Sequence, residues 1–122
     1  MGAKLMAKAL DIAITTISSF YSKQAGLKKT NSKTGAVTLI QRFGGSLNVN
    51  IHFHILFLDG TYELGEQKAP MDFVTANPPT THELDIVLKQ IMKRITRMLE
   101  RQGIIIKDAD QIRPDHSQSC IR

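Results

Sequence analysis

Two histidines, His52 and His54, stand two apart in the run Leu47-Asn48-Val49-Asn50-Ile51-His52-Phe53-His54-Ile55-Leu56-Phe57-Leu58, the most strand-like stretch of the chain. Strand side chains alternate between faces. Both imidazoles therefore project from one side, while Ile51, Phe53, Ile55 and Phe57 project from the other and can pack against helices. Two imidazoles at i and i+2 on a rigid strand can chelate one divalent cation and leave positions open for water or a phosphate oxygen. Asn48 and Asn50 share the parity of the histidines, so that face begins polar. Asp59 has the other parity and, followed by Gly60, reads as a turn residue. Two ordinary histidines on a half-buried strand are the plainer alternative, and their pairing on one face favours the metal.

The elements that must position this strand are legible on both sides of it. Upstream, the apolar residues Leu5, Ala9, Ile12, Ala13, Ile17, Phe20 and Tyr21 recur at helical spacing, which predicts an amphipathic helix ended by Gly26. Lys28, Lys29 and Lys33 with Thr30, Asn31 and Ser32 form a basic loop. Residues 37–43 alternate and predict a strand, broken by Gly44-Gly45. Asp59-Gly60 predicts a hairpin turn with residues 61–64 as the returning arm. Pro70, Pro78 and Pro79 predict a surface loop. Thr80 with Glu83 is a capping-box pattern, opening a helix whose apolar stripe is Leu84, Val87, Leu88, Ile91, Ile95, Met98 and Leu99, with Gly103 as its C-cap. The order predicts an α+β fold: one antiparallel sheet carrying the His strand, with helices packed on one face. Residues 1–110 form the single domain, and residues 111–122 read as a disordered polar tail.

Composition bounds what this fold can do. Sixteen Lys and Arg against eleven Asp and Glu give a net charge of +5 in 122 residues, and 42% of residues are hydrophobic. That is enough for one modest core. No run approaches the roughly 20 apolar residues of a membrane span, and no signal peptide is evident. The single Cys120 cannot form an internal disulfide or half a zinc knuckle. The basic balance suits an anionic partner. Lys89, Lys93, Arg97 and Arg101 recur at four-residue steps, with Arg94 beside them. They can contact nucleic-acid phosphates or form a solvated helix face, and the pattern alone fits both.

The longer run Thr34-Gly35-Ala36-Val37-Thr38-Leu39-Ile40-Gln41-Arg42-Phe43-Gly44-Gly45-Ser46-Leu47-Asn48-Val49-Asn50-Ile51-His52-Phe53-His54-Ile55-Leu56-Phe57-Leu58-Asp59-Gly60-Thr61-Tyr62 closely resembles the core of the two-tyrosine rolling-circle insertion-sequence transposases. These belong to the HUH (His–hydrophobic–His) nuclease superfamily, and His52-Phe53-His54 matches that motif. The resemblance implies a Mg²⁺ or Mn²⁺ ion on His52 and His54, which polarises the scissile phosphate of single-stranded DNA at a transposon end. It also implies a tyrosine nucleophile that leaves a 5′-phosphotyrosine. Gln41 stands where many relatives carry His, and its amide oxygen can serve as third ligand; a surface Gln is the alternative. Arg42 joins Lys89, Lys93, Arg94, Arg97 and Arg101 as a candidate DNA contact.

The departure from that family pattern concerns the nucleophile. The family's paired tyrosines, four residues apart, lie downstream of the motif, whereas this chain has only Tyr21 and Tyr62. Tyr62 reads as a hairpin residue and Tyr21 as core, with Tyr21 a secondary candidate nucleophile. The expectation is an internal piece of a bacterial cytoplasmic transposase with an incomplete HUH/Rep-like sheet. It would be inactive alone and prone to self-association or to pairing with a full-length transposase. The alternative is a non-enzymatic DNA- or metal-binding remnant.

Overall fold

The computed structural model describes residues 2–44 and 50–105. Asn48, the second half of the Gly44-Gly45 break, and the tail 111–122 with Cys120 lie outside the described residues. Two helices and five strands make up the rest, in an α+β arrangement with antiparallel pairing throughout. Helix α1 spans Ala3–Gln24 and α2 spans Thr81–Arg101. The strands are β1 (Ser32–Lys33), β2 (Ala36–Phe43), β3 (Asn50–Phe57), β4 (Gly60–Leu64) and β5 (Pro70–Thr75).

Local chemistry fixes both helix ends as the sequence indicates. At the start of α2, the Glu83 N–H donates to Thr80 Oγ1 at 3.1 Å and the Thr80 N–H donates to Glu83 Oε1 at 3.0 Å. This reciprocal pair satisfies two donors that the first helical turn would otherwise orphan. Each helix closes on a left-handed glycine, Gly26 at φ 73° and Gly103 at φ 71°. In both, the residue after the glycine bonds back to the sixth carbonyl, Leu27 to Ser22 at 2.9 Å and Ile104 to Leu99 at 3.0 Å. A side chain at either glycine would strain that turn.

The strands depart from the anticipated single sheet. Among the described residues β2 pairs with β3 alone, while β4 lies between β1 and β5 in a separate sheet. The two ladders are nonetheless consecutive along the chain. Lys33 pairs with Tyr62 and Ala36 with Phe57, so two residues on one side face four on the other. At this step the chain changes partners: the Leu58 N–H still reaches Gly35, whereas the Asp59 carbonyl already accepts from Ala76. The β2–β3 ribbon is thus an arm continuing from the sheet.

Asp59-Gly60 is accordingly not a hairpin turn, because β4 does not return along β3. Gly60 is buried, and a Cβ there would come within 2.3 Å of the Val74 carbonyl oxygen and 2.8 Å of the Phe73 ring. The glycine permits close approach of β5. Of the segment read as a Pro-bounded loop, residues 70–75 are β5, and residues 76–80, with Pro78 and Pro79, are the loop. Pro70 takes the first strand position, where its missing N–H interrupts nothing, and the real hairpin turn between β4 and β5 runs through Gln67 and Lys68, both at positive φ.

Helix α1 ties these parts together through hydroxyls. Ser32 Oγ donates to Ser22 Oγ at 2.8 Å and Thr34 Oγ1 to Ser18 Oγ at 2.7 Å, anchoring β1 and the root of the ribbon. On α2, Val87 is buried against α1, but Leu84, Leu88 and Met92 remain 53–58% exposed. Ile91, Ile95, Met98 and Leu99 are half-buried, so the helix is covered along one side of its apolar face and open at Leu84, Leu88 and Met92.

The capping box should give the fold an acid-sensitive component. The Thr80 backbone N–H, then the Thr80 side chain, Gln24 and nearby His82, hold the Glu83 carboxyl below its ordinary 4.5 against the opposing effect of desolvation. A carboxylate with a lowered folded-state pKa stabilises above its unfolded value and loses that contribution as pH falls through the folded one. Urea unfolding followed downward from pH 4.5 should show wild type losing stability more steeply than Glu83→Gln, which cannot titrate. Parallel curves would contradict this.

Candidate metal centre on the ribbon

Burial along β3 alternates residue by residue, as period-two geometry requires. Ile51, Phe53, Ile55 and Phe57 are half-buried, and Asn50, His52, His54 and Leu56 are exposed. His52 and His54 therefore lie on one face of a paired strand, as their spacing indicates. The register adds what spacing could not. Gln41 is directly opposite His52, and Leu39 is opposite His54. Cross-strand partners share a face at roughly 5 Å between Cβ atoms, so Gln41 joins the histidines on the same exposed surface.

The donor chemistry of this cluster suits a hard-to-borderline divalent cation. Imidazole nitrogens and an amide oxygen are acceptable ligands for such ions, and exposure leaves room for water or a phosphate oxygen to complete the coordination. Among the described residues no group of three or more His, Cys, Asp or Glu side chains is arranged to hold a metal. A cation on this face would have the two imidazoles as ligands, with the Gln41 amide as the third protein donor within the same face. The face is polar at the Gln41–His52 level and becomes apolar toward the ribbon's root, where Leu39, Val37 and Leu56 are 58–72% exposed.

The remaining candidates fall elsewhere. Arg42 pairs with Ile51 and so lies on the face opposite Gln41 and His52. Tyr21 stacks on Phe57 with ring centroids 6.0 Å apart and an interplanar angle of 21°. Because Phe57 has the parity of Ile51 and Phe53, this stack is on the ribbon face away from the histidines. Tyr62 packs edge-on against Phe73 at 5.0 Å, across the β4–β5 pair. Lys89 is ion-paired with Asp85 at 2.8 Å on an exposed turn of α2, a contact of little energetic weight. Lys93, Arg94 and Arg97 instead border a cavity between the helices, and Arg101 borders the next one along. Sequence reasoning missed the α1 side of that cavity, Thr16 and Lys23 above all, because helix apposition is not written in either helix alone.

With this geometry in place, comparison with known proteins assigns the chain. A family model described as "Putative transposase" (Y2_Tnp) matches residues 35–119, from the root of the ribbon through α2 and on into the polar tail. The match covers more than two thirds of the chain, and the protein belongs to this transposase family. No curated protein and no solved structure matches it.

The stacking geometry predicts a packing role for Tyr21. Tyr21→Phe keeps the ring and should leave the urea midpoint unchanged, whereas Tyr21→Ala should cost about 1–2 kcal/mol, less than a fully buried aromatic because Tyr21 is half-buried. Equal loss in both variants would mean that the hydroxyl, not the ring, is what the fold uses.

Proposed function

We propose that this chain carries the cation-binding face of an HUH-type transposase, acting on single-stranded DNA in strand cleavage and transfer. The observation that carries the reading is the placement of His52, His54 and Gln41 on one exposed ribbon face within the family-matched segment. His52 and His54 hold the ion through ring nitrogens, and Gln41 contributes its amide oxygen. A bound Mg²⁺ or Mn²⁺ supplies neutralisation of charge on the phosphate oxygens. The two-strand ladder keeps the three donors in fixed register, so little ordering is needed when DNA arrives. Lys93, Arg94, Arg97 and Arg101 contact backbone phosphates from α2, with Lys89 and Arg42 as outlying contacts.

Neither tyrosine is the nucleophile in this reading. Tyr21 is stacked on the ribbon's opposite face and Tyr62 lies in the other sheet. The chain alone binds the ion and DNA but forms no covalent adduct. A second reading has the exposed Leu84, Leu88 and Met92 of α2 meeting another transposase chain, with this protein a non-catalytic partner.

Titration of Mn²⁺ or Co²⁺ into wild type and a His52→Ala/His54→Ala double variant tests the ion. Affinity should fall by about tenfold or more in the variant, since two of three protein donors are gone. Equal affinity would overturn the reading. For the nucleophile, a labelled single strand incubated with Mn²⁺ should yield no protein–DNA adduct on a denaturing gel. An adduct that disappears in Tyr21→Phe or Tyr62→Phe would show that a nucleophile resides in this chain.

A further inference from the structure

Helices α1 and α2 line a half-open cavity of about 630 Å³, inside the size range of small-ligand sites. Its apolar wall includes the Phe20 ring and buried Val87, and its rim carries Lys23, Lys93, Arg94 and Arg97. Among the described residues none of these four cations is ion-paired; the salt bridge on α2 is Lys89–Asp85, outside the cavity. The one carboxylate on the wall, Glu83, is already engaged by the Thr80 N–H and by Gln24. Four like charges around one cavity repel each other and are relieved by an anion.

Arg94 is held in place for such a ligand. Its Nη1 donates to Thr16 Oγ1 at 2.6 Å, and the buried Thr16 hydroxyl donates onward to the Ile12 carbonyl at 2.7 Å. That leaves the other guanidinium N–H groups available, in a planar fork suited to a phosphate. A bare inorganic anion would make no use of the aromatic wall. A phosphate attached to a flat, hydrogen-bonding ring would use both, with Gln90 within the same lining. We propose that the α1–α2 cavity binds one nucleotide unit, its phosphate on the Lys93–Arg94–Arg97 rim and its base against Phe20.

This deepens the reading of those cations as DNA contacts, and it shares no residue with the ribbon's His face. The occupant is either a nucleotide of a DNA strand or a free nucleoside monophosphate. Calorimetry on the full chain with dAMP, dTMP, inorganic phosphate and a single-stranded oligonucleotide separates the possibilities. A mononucleotide should bind about tenfold more tightly than inorganic phosphate, because the base adds stacking. Gln90→Glu places a carboxylate among the cations from an exposed position and should weaken mononucleotide binding by about tenfold. Phe20→Leu should abolish the preference over phosphate. Lys4→Gln, which removes a charge at an exposed position outside the cavity, should change mononucleotide binding by less than about twofold.

If Gln90→Glu also weakens the oligonucleotide, the occupant comes from DNA; if only the mononucleotide is lost, it is a free nucleotide. Equal affinity for mononucleotide and phosphate, or equal effects of Gln90→Glu and Lys4→Gln, would overturn the proposal. If the mononucleotide arm fails while Lys93→Glu still weakens the oligonucleotide and flattens its salt dependence, the DNA-contact reading stands and the cavity proposal falls.

Discussion

Everything at the candidate metal centre depends on the register between β2 and β3. Eight consecutive residue pairs, from Ala36 with Phe57 to Phe43 with Asn50, lock the two strands. A slip of one residue would carry His52 and His54 to the opposite face and bring Phe53 and Ile55 into their place. The register is held at the root. There Thr34 is bonded to Ser18, the Gly35 carbonyl accepts from Leu58, and Phe57 stacks on Tyr21. Helix α1 thus sets which face of the ribbon is open, although it touches neither histidine's face.

The same root explains why the ribbon is an arm. Gly60 lets β5 approach β4 more closely than any side chain would permit, so β4 is committed to β1 and β5 and cannot return along β3. Among the described residues β3 keeps one partner, and no further strand covers its His face. For the proposed function this exposure matters, because a DNA strand is large and flexible and an enclosed pocket would be a barrier to it.

Much of this was legible in sequence because it is local. The Thr80–Glu83 box, the glycine closures at Gly26 and Gly103, and the alternation that places both histidines on one face follow from short-range rules that the tertiary structure does not override. What was not legible is pairing. Asp59-Gly60 has the composition of a hairpin turn, but its glycine answers to a neighbour fourteen residues away, Val74. Met71–Thr75 is β-prone, but its flanking prolines signal a loop unless the partner strand is known. Parity by itself could have separated Gln41 from Arg42 only with the register in hand. The cationic cavity was likewise half-visible: α2 announces Lys93, Arg94 and Arg97, whereas Thr16, which orients Arg94, reads in sequence as an ordinary helix residue.

The central claim is that a divalent cation is held at the Gln41–His52–His54 face. Its most direct test is the paramagnetic effect of substoichiometric Mn²⁺ on the amide resonances of ¹⁵N-labelled protein. The account predicts that broadening centres on Gln41, His52 and His54, with the carboxylates of the helices, Asp11, Glu83, Asp85 and Glu100, little affected. Broadening centred on those carboxylates, or spread evenly over the chain, would contradict it.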